Sequence, residues 1–191
     1  DTTAFVRLLI AAYNEEEVIA SKIKNCLELD YPAHRLQILV AADGSSDRTP
    51  EIVQEFTDKR VELSYSPPRR GKMAAINRAM PQAKGEIVVF SDANNMYAPD
   101  TLRELVKPFH DPKVGAVSGA KYIIEDDDSL GFSEGTYWKY ESFIKLAESR
   151  LESCTAMAGE ILAIRRELFE LPPDTIITDD FYMGMRIIAR G

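Results

Sequence analysis

The sequence predicts an α/β fold, a mainly parallel sheet covered by helices on both faces. Three observations lead there. Short β-rich runs alternate with stretches whose apolar residues recur at helical spacing, which gives a βαβα order. Several of the runs are apolar at consecutive positions, as strands are when neither face meets water. Finally, 191 residues with 45% hydrophobic and 28% charged content suit one ordinary globular domain. A chain of that size buries about 70% of the surface its unfolded form exposes, so it needs no disulfide or metal to fold.

Residues 6–12, "VRLLIAA", form the first strand candidate, and a helical pattern over 15–29 follows it. Residues 37–42 form the second strand. In "SSDRTPEI" Asp47 or Thr49 can cap a helix over 49–56, and Pro50 suits a first helical position that needs no amide donor. A third strand over 61–66 precedes a helix over 72–83. In "EIVVFSDANNMY" four apolar side chains in a row, Ile87 to Phe90, place a buried strand over 87–91. A helix over 99–109 and a strand over 114–119 come next. After Gly119 the alternation breaks: an acidic, loop-like "EDDDS" precedes a long helical pattern over about 132–150, a strand over 161–165 and a last helical pattern over 180–189. No repeat, low-complexity tract or linker divides the chain. One domain is expected, with residues 1–119 and 120–191 as its two halves.

A net charge of −8 argues against a nucleic-acid binder that relies on phosphate attraction. The two cysteines, Cys26 and Cys154, have no second pair at metal spacing and are expected as free thiols of a reducing compartment. No apolar run approaches the ~20 residues of a membrane-spanning helix, and no signal-peptide pattern opens the chain. With a start at Asp1 and a stop at Gly191 directly behind a helical pattern, a soluble piece of a longer protein is expected.

In open α/β sheets, ligands settle outside the carboxyl ends of the strands. Three strand candidates end in polar residues: "LLIAAYNEE" with Tyr13, Asn14 and Glu15, "ILVAADGSSD" with Asp43 to Asp47, and "IVVFSDANN" with Asp92 to Asn95. One such ending is an ordinary turn; three at one sheet edge point to a binding site. Asp92 and Asn94, two apart in an extended segment, can aim oxygens at one Mg²⁺ or Mn²⁺ that also holds a diphosphate, since such cations take oxygen ligands and keep substrate phosphates in their shell. Asp43 can accept from a base N–H while Gly44 turns the backbone. In "PPRRGKMAAIN" Lys72, with Arg69 and Arg70, stands where a helix begins and can meet phosphate; a merely solvated basic face is the alternative.

Together, "AAYNE", "AADGSSD", "RRGKMAAIN", "FSDANNMY" and "ITDD" resemble the family 2 glycosyltransferases, inverting enzymes with the GT-A fold, and the resemblance spans nearly the whole chain. "EGTYWKYE", "AGEILAIRRELF" and "ITDDFYMGMRI" are similar to processive, membrane-associated members such as cellulose, chitin and hyaluronan synthases. The resemblance implies a mixed, mainly parallel sheet with a Rossmann-like nucleotide-binding half. It also implies inverting transfer of a sugar from a nucleotide-diphosphate sugar, expected to be a UDP-sugar, to a hydroxyl of a saccharide acceptor, with Mg²⁺ or Mn²⁺, in polysaccharide or cell-surface glycan synthesis.

Carried over residue by residue, it makes Tyr13 and Glu15 part of the base pocket, Asp43 the uracil partner and Lys72 a further nucleotide contact. Asp92 and Asn94 take the family's D-x-D position, where Asn94 departs from the usual second Asp. Thr178, Asp179 and Asp180 align with T-E-D, whose last residue is the general base, so Asp180 is the expected base with Asp179 beside it. Gly159 and Glu160 match a segment next to the acceptor. Trp138, with Tyr137 and Tyr140, can offer a sugar ring an aromatic face or simply pack a helix. Membrane contact, on the cytoplasmic side, is implied only through carboxyl-terminal segments of a parent protein, and the Q-x-x-R-W segment of the processive members, which binds the acceptor and product end, is expected downstream of Gly191. The rival reading is a nucleotide-binding module without catalysis, or a fragment too short to act; retention of Asp180 argues against it. A nicotinamide dehydrogenase or a nucleotidyltransferase would carry a glycine-rich loop where "AAYNEE" stands.

Overall fold

The computed structural model describes residues 3–119, 161–174, 176 and 179–189. Among them, six strands form one sheet in the order β3-β2-β1-β4-β6-β5. The strands are β1 (Val6–Ala12), β2 (Leu36–Asp43), β3 (Val61–Ser66), β4 (Ile87–Asp92), β5 (Ala116–Ser118) and β6 (Ile161–Arg165). β1 pairs in parallel with β2 and β4, and β2 with β3, while β6 runs antiparallel to β4 and β5. The sheet is therefore mixed and mainly parallel, as expected.

Side chains alternate across each strand, so one sheet builds two cores. Val6, Leu8 and Ile10 of β1 and Val89 of β4 pack against Ile19, Ile23 and Cys26 of α1 (Ile19–Leu27), Val53 of α2 (Thr49–Gln54) and Leu102 of α4 (Thr101–Val106). On the opposite face Leu9, Leu39, Val88 and Phe90 meet Met73 and Ile76 of α3 (Lys72–Ala79) and Met183 of α5 (Asp179–Ile188). Fully burying one such side chain stabilises by about 1.5–3 kcal/mol, whereas a six-residue helix in isolation is unstable in water. Packing on the sheet, then, holds α2 and α4 in place. Cys26 is buried as a free thiol.

The differences from expectation lie at element ends. α1 begins at Ile19, because residues 14–16 bond sideways to the loop after β2. α3 and α4 stop at Ala79 and Val106, and 3-10 turns at Met80–Gln82 and Lys107–His110 follow, each with a proline at its start. Pro81 and Pro108 carry no amide to extend an α-helical ladder. β2 runs one residue further at each end, which makes Asp43 its last residue. β5 is confined to three residues, and α5 runs one residue earlier than the expected 180–189. The helical pattern over 132–150, Tyr137, Trp138, Tyr140, Cys154, Gly159, Glu160 and Thr178 all fall outside the described residues. No helix among the described residues is long and apolar enough to cross a membrane.

Candidate active site

The loop after β1 and the loop after β2 are laced together. Asn14, in the left-handed region at φ 53°, accepts the Ser46 amide at 2.8 Å on Oδ1, and its own amide donates to Ser45 Oγ at 3.2 Å. The Glu15 amide donates to Thr49 Oγ1 at 2.8 Å, the Glu16 amide to Asp47 Oδ2 at 3.0 Å, and the Arg48 amide to Glu16 Oε2 at 3.1 Å. Asp47 Oδ1 in turn accepts from the Thr49 amide and hydroxyl, which draws its carboxyl below the usual range despite some burial. Much of "YNEE" and "GSSDRT" is thus scaffold. Its effect is to bring the carboxyl ends of β1 and β2 to one edge.

There, with the end of β4 and the start of α3, they enclose a cleft of about 330 Å³ lined by Tyr13, Glu15, Asp43, Arg69, Lys72, Asp92 and Asn94. Six residues predicted for the nucleotide therefore share one cavity with Arg69. Lys72 Nζ stands 2.9 Å from Asp92 Oδ1. Burial raises the Glu15 carboxyl above its ordinary range, and the Asp92 and Asp47 carboxylates add to the rise. Among the described residues, no three His, Cys, Asp or Glu side chains gather as a metal site by themselves. The oxygens of Asp92 and Asn94 consequently fit a hard cation only as part of a shell that a ligand's oxygens complete.

Asp43 does more than face the cleft. At 3% exposure its Oδ2 accepts the amides of Arg70 and Gly71, both at 2.7 Å, and its Oδ1 takes Arg78 Nη1 at 3.2 Å. A carboxylate offers about four acceptor positions, so Oδ1 keeps one for a ligand. Arg78 also donates to the Ala42 carbonyl at 2.8 Å. Gly44, at φ 65°, lets the chain pass so close to Arg69 that an added Cβ would lie 2.5 Å from its nitrogen. The Arg69 guanidinium, in turn, lies 3.7 Å from the centroid of the Tyr13 ring. Arg70 turns away and pairs with Asp174 at 3.0 Å, while Asn77 donates to Asp174 Oδ1 and to the Pro172 carbonyl, fastening the segment before α5 to α3.

Three residues absent from the sequence reading shape this edge: Arg78, Lys22 and Asn25. Lys22 was legible in principle, since it falls within the buried stripe Ile19, Ile23 and Cys26 of α1. Burial pushes its pKa down to about 8, against smaller opposing effects of Cys26 and Asp92. Asp179 and Asp180 open α5. Their side chains lie outside the described residues.

Residues 8–171 match the family model described as Glycosyl transferase family 2. A probable glycosyltransferase of Bacillus subtilis, YdaM, is 32% identical over 97% of the chain and 47% of its own length. A beta-monoglucosyldiacylglycerol synthase of Trichormus variabilis is 37% identical over 62% of the chain and 26% of its own length. Among solved structures, the mannosyltransferase PcManGT of Pyrobaculum calidifontis, in complex with GDP-Man and Mn²⁺, superposes with a TM-score of 0.86 at 32% identity, covering 99% of this chain and 53% of that one. The chain thus spans about half the length of two of these relatives and about a quarter of the third.

Proposed function

Because the chain belongs to glycosyl transferase family 2, we propose that its cleft binds a nucleoside-diphosphate sugar and that the chain transfers the sugar, with inversion, to a hydroxyl of a saccharide acceptor. The observation that carries this reading is the meeting of Tyr13, Glu15, Asp43, Lys72, Asp92 and Asn94 around one cavity at the strand ends. Tyr13 and Asp43 would hold the base, the first by its ring and the second through the remaining acceptor position on Oδ1. Lys72 would face the diphosphate and offset the charge that develops on it as it leaves. Asp92 and Asn94 would hold a divalent cation, Mg²⁺ or Mn²⁺, which when bound supplies further neutralisation of the leaving group.

In the transfer itself, Asp180 takes the proton of the acceptor hydroxyl, that oxygen forms its bond to the anomeric carbon, and the bond to the nucleoside diphosphate breaks on the opposite face. Asp180 belongs to the first turn of α5, where the helix dipole favours an ionised carboxylate. Asp179 would stand beside it, and Trp138, Gly159 and Glu160 would serve the acceptor. Uracil is the proposed base, on the resemblance of "AADGSSD" to the family. Guanine is a second reading, favoured by the 32%-identical Pyrobaculum protein and its GDP-Man. A role in polysaccharide or surface-glycan synthesis, with the parent protein placed at the cytoplasmic face of a membrane, completes the proposal.

The test is release of UDP or GDP from UDP- and GDP-sugars with Mn²⁺ and an oligosaccharide acceptor. Turnover that vanishes in Asp180→Asn while nucleotide affinity stays within about twofold supports the assignment, since loss of one catalytic base removes about 10²–10⁴ in rate. Equal turnover in the variant removes Asp180 from the role. Nucleotide binding without turnover under any condition points to the inert module.

A further inference from the structure

Residues 93–98 leave β4 without forming a helix or strand, and they carry Asn94. Their anchorage comes from α1. Two of its side chains, one helical turn apart, reach this segment. Lys22 donates from Nζ to the Asn95 carbonyl and lies 3.5 Å from the centroid of the Tyr97 ring. Asn25 grips the backbone of Tyr97 on both sides: its Nδ2 donates to the Tyr97 carbonyl and its Oδ1 accepts from the Tyr97 amide, each at 2.9 Å. The Tyr97 hydroxyl donates to Ser91 Oγ, so the segment is also tied back to the strand residue directly before Asp92.

Lys22 is fully buried. Removing an ammonium from water is costly, and an apolar side chain would fill the same stripe of α1 at less cost. Core packing alone gives no reason for a lysine there. A donor that reaches a backbone carbonyl 73 residues away does. We infer that Lys22 and Asn25 are positioning residues for the diphosphate end of the cleft, which act through the backbone of Asn95 and Tyr97 to hold Asn94 beside Asp92. The inference rests on the reading of Asp92 and Asn94 as diphosphate and cation contacts.

The test uses the 191-residue chain and its variants Lys22→Met, Asn25→Ala and Asp92→Ala. Mn²⁺ binding in the presence of UDP, and separately of GDP, is read from the loss of the free-ion EPR signal. Affinity for uridine and guanosine, which lack phosphate, is read by calorimetry. Lys22→Met and Asn25→Ala are each expected to weaken Mn²⁺–nucleotide binding about tenfold, the equivalent of one lost hydrogen bond of ordinary strength, and to leave nucleoside affinity unchanged. Mn²⁺–nucleotide affinity that stays at the wild-type value in either folded variant overturns the inference, and so does an equal fall in nucleoside affinity, which would mark general damage to the fold. If Lys22→Met fails to fold, Asn25→Ala decides alone. Wild-type chain that binds no Mn²⁺ with either nucleotide, or binding that persists in Asp92→Ala, defeats the site reading itself and the positioning role with it.

Discussion

Truncating Asp43 to alanine separates a side chain that merely touches a ligand from one that also builds the site. Its carboxylate receives two backbone amides at 2.7 Å and Arg78 at 3.2 Å, with the side chain 5% exposed. Hydrogen bonds to a charged acceptor are worth about 1.5–3 kcal/mol each. Arg70 and its neighbours are exposed enough for water to replace part of that loss, and Arg78 keeps its bond to Ala42. A cost of about 3–4 kcal/mol remains, which for a chain of this length lowers the melting temperature by roughly 6–16 °C. Asp43→Asn should be milder, about 1–2 kcal/mol, because its carbonyl can keep both amides while its amide group faces Arg78 unfavourably. Urea and thermal unfolding, together with UDP and GDP titrations, measure both effects. Asp43→Ala is expected to lose nucleotide binding and stability together. If it melts within about 2 °C of wild type, the strut assigned to Asp43 is wrong.

Gly44→Ala puts a Cβ at φ 65° and 2.5 Å from the Arg69 nitrogen; the conformation alone costs about 1–2 kcal/mol, so calorimetric melting should fall by more than about 2 °C, and a variant as stable as wild type would contradict the geometry. Lys72→Ala removes an ion pair whose partners are each 38% exposed. Stability should change by less than about 1 kcal/mol, yet UDP and GDP should lose affinity about tenfold relative to their nucleosides, as calorimetry will read. For Lys22 the folded pKa of about 8 lies below the ordinary 10.5. The native state therefore binds fewer protons than the unfolded state between those values. The cost of burying the charge is complete below about pH 8 and fades as pH rises toward 10.5, so wild type should gain about 1–2 kcal/mol on Lys22→Met between about pH 7 and about pH 9.5. A pH-independent gap in paired urea titrations would sink this.

The apolar runs of β1, β2 and β4 could be read directly, because a strand covered on both faces has few polar positions to blur it, whereas β3, at the sheet edge, alternates apolar and polar residues. The ends could not. Nothing local stops a helix at Glu15; what stops it is the set of bonds from residues 14–16 to residues 45–49, partners more than 30 positions away. Pro81 and Pro108 mark the shortened helices, while the apolar spacing runs on past both, to Ala83 and Phe109. At the site, strand-end polarity was enough to find Tyr13, Glu15, Asp92 and Asn94, since topology brings parallel strand ends together. The double engagement of Asp43 was hidden, because its partners arrive from the 69–71 loop and from α3. Arg78 looks like any helical surface arginine until α3 is laid on β2. Lys22 interrupts an apolar stripe, and that interruption was a visible sign of a buried partner.

Under the proposed function, one cleft at the ends of β1, β2 and β4 holds a cation-bridged nucleoside diphosphate. A crystal structure of the chain grown with Mn²⁺ and either UDP or GDP tests it most directly. The base is expected against Tyr13 and Asp43, the diphosphate beside Lys72, and Mn²⁺ bonded to an oxygen of Asp92. Nucleotide seated elsewhere, or an empty cleft at saturating nucleotide, would contradict it.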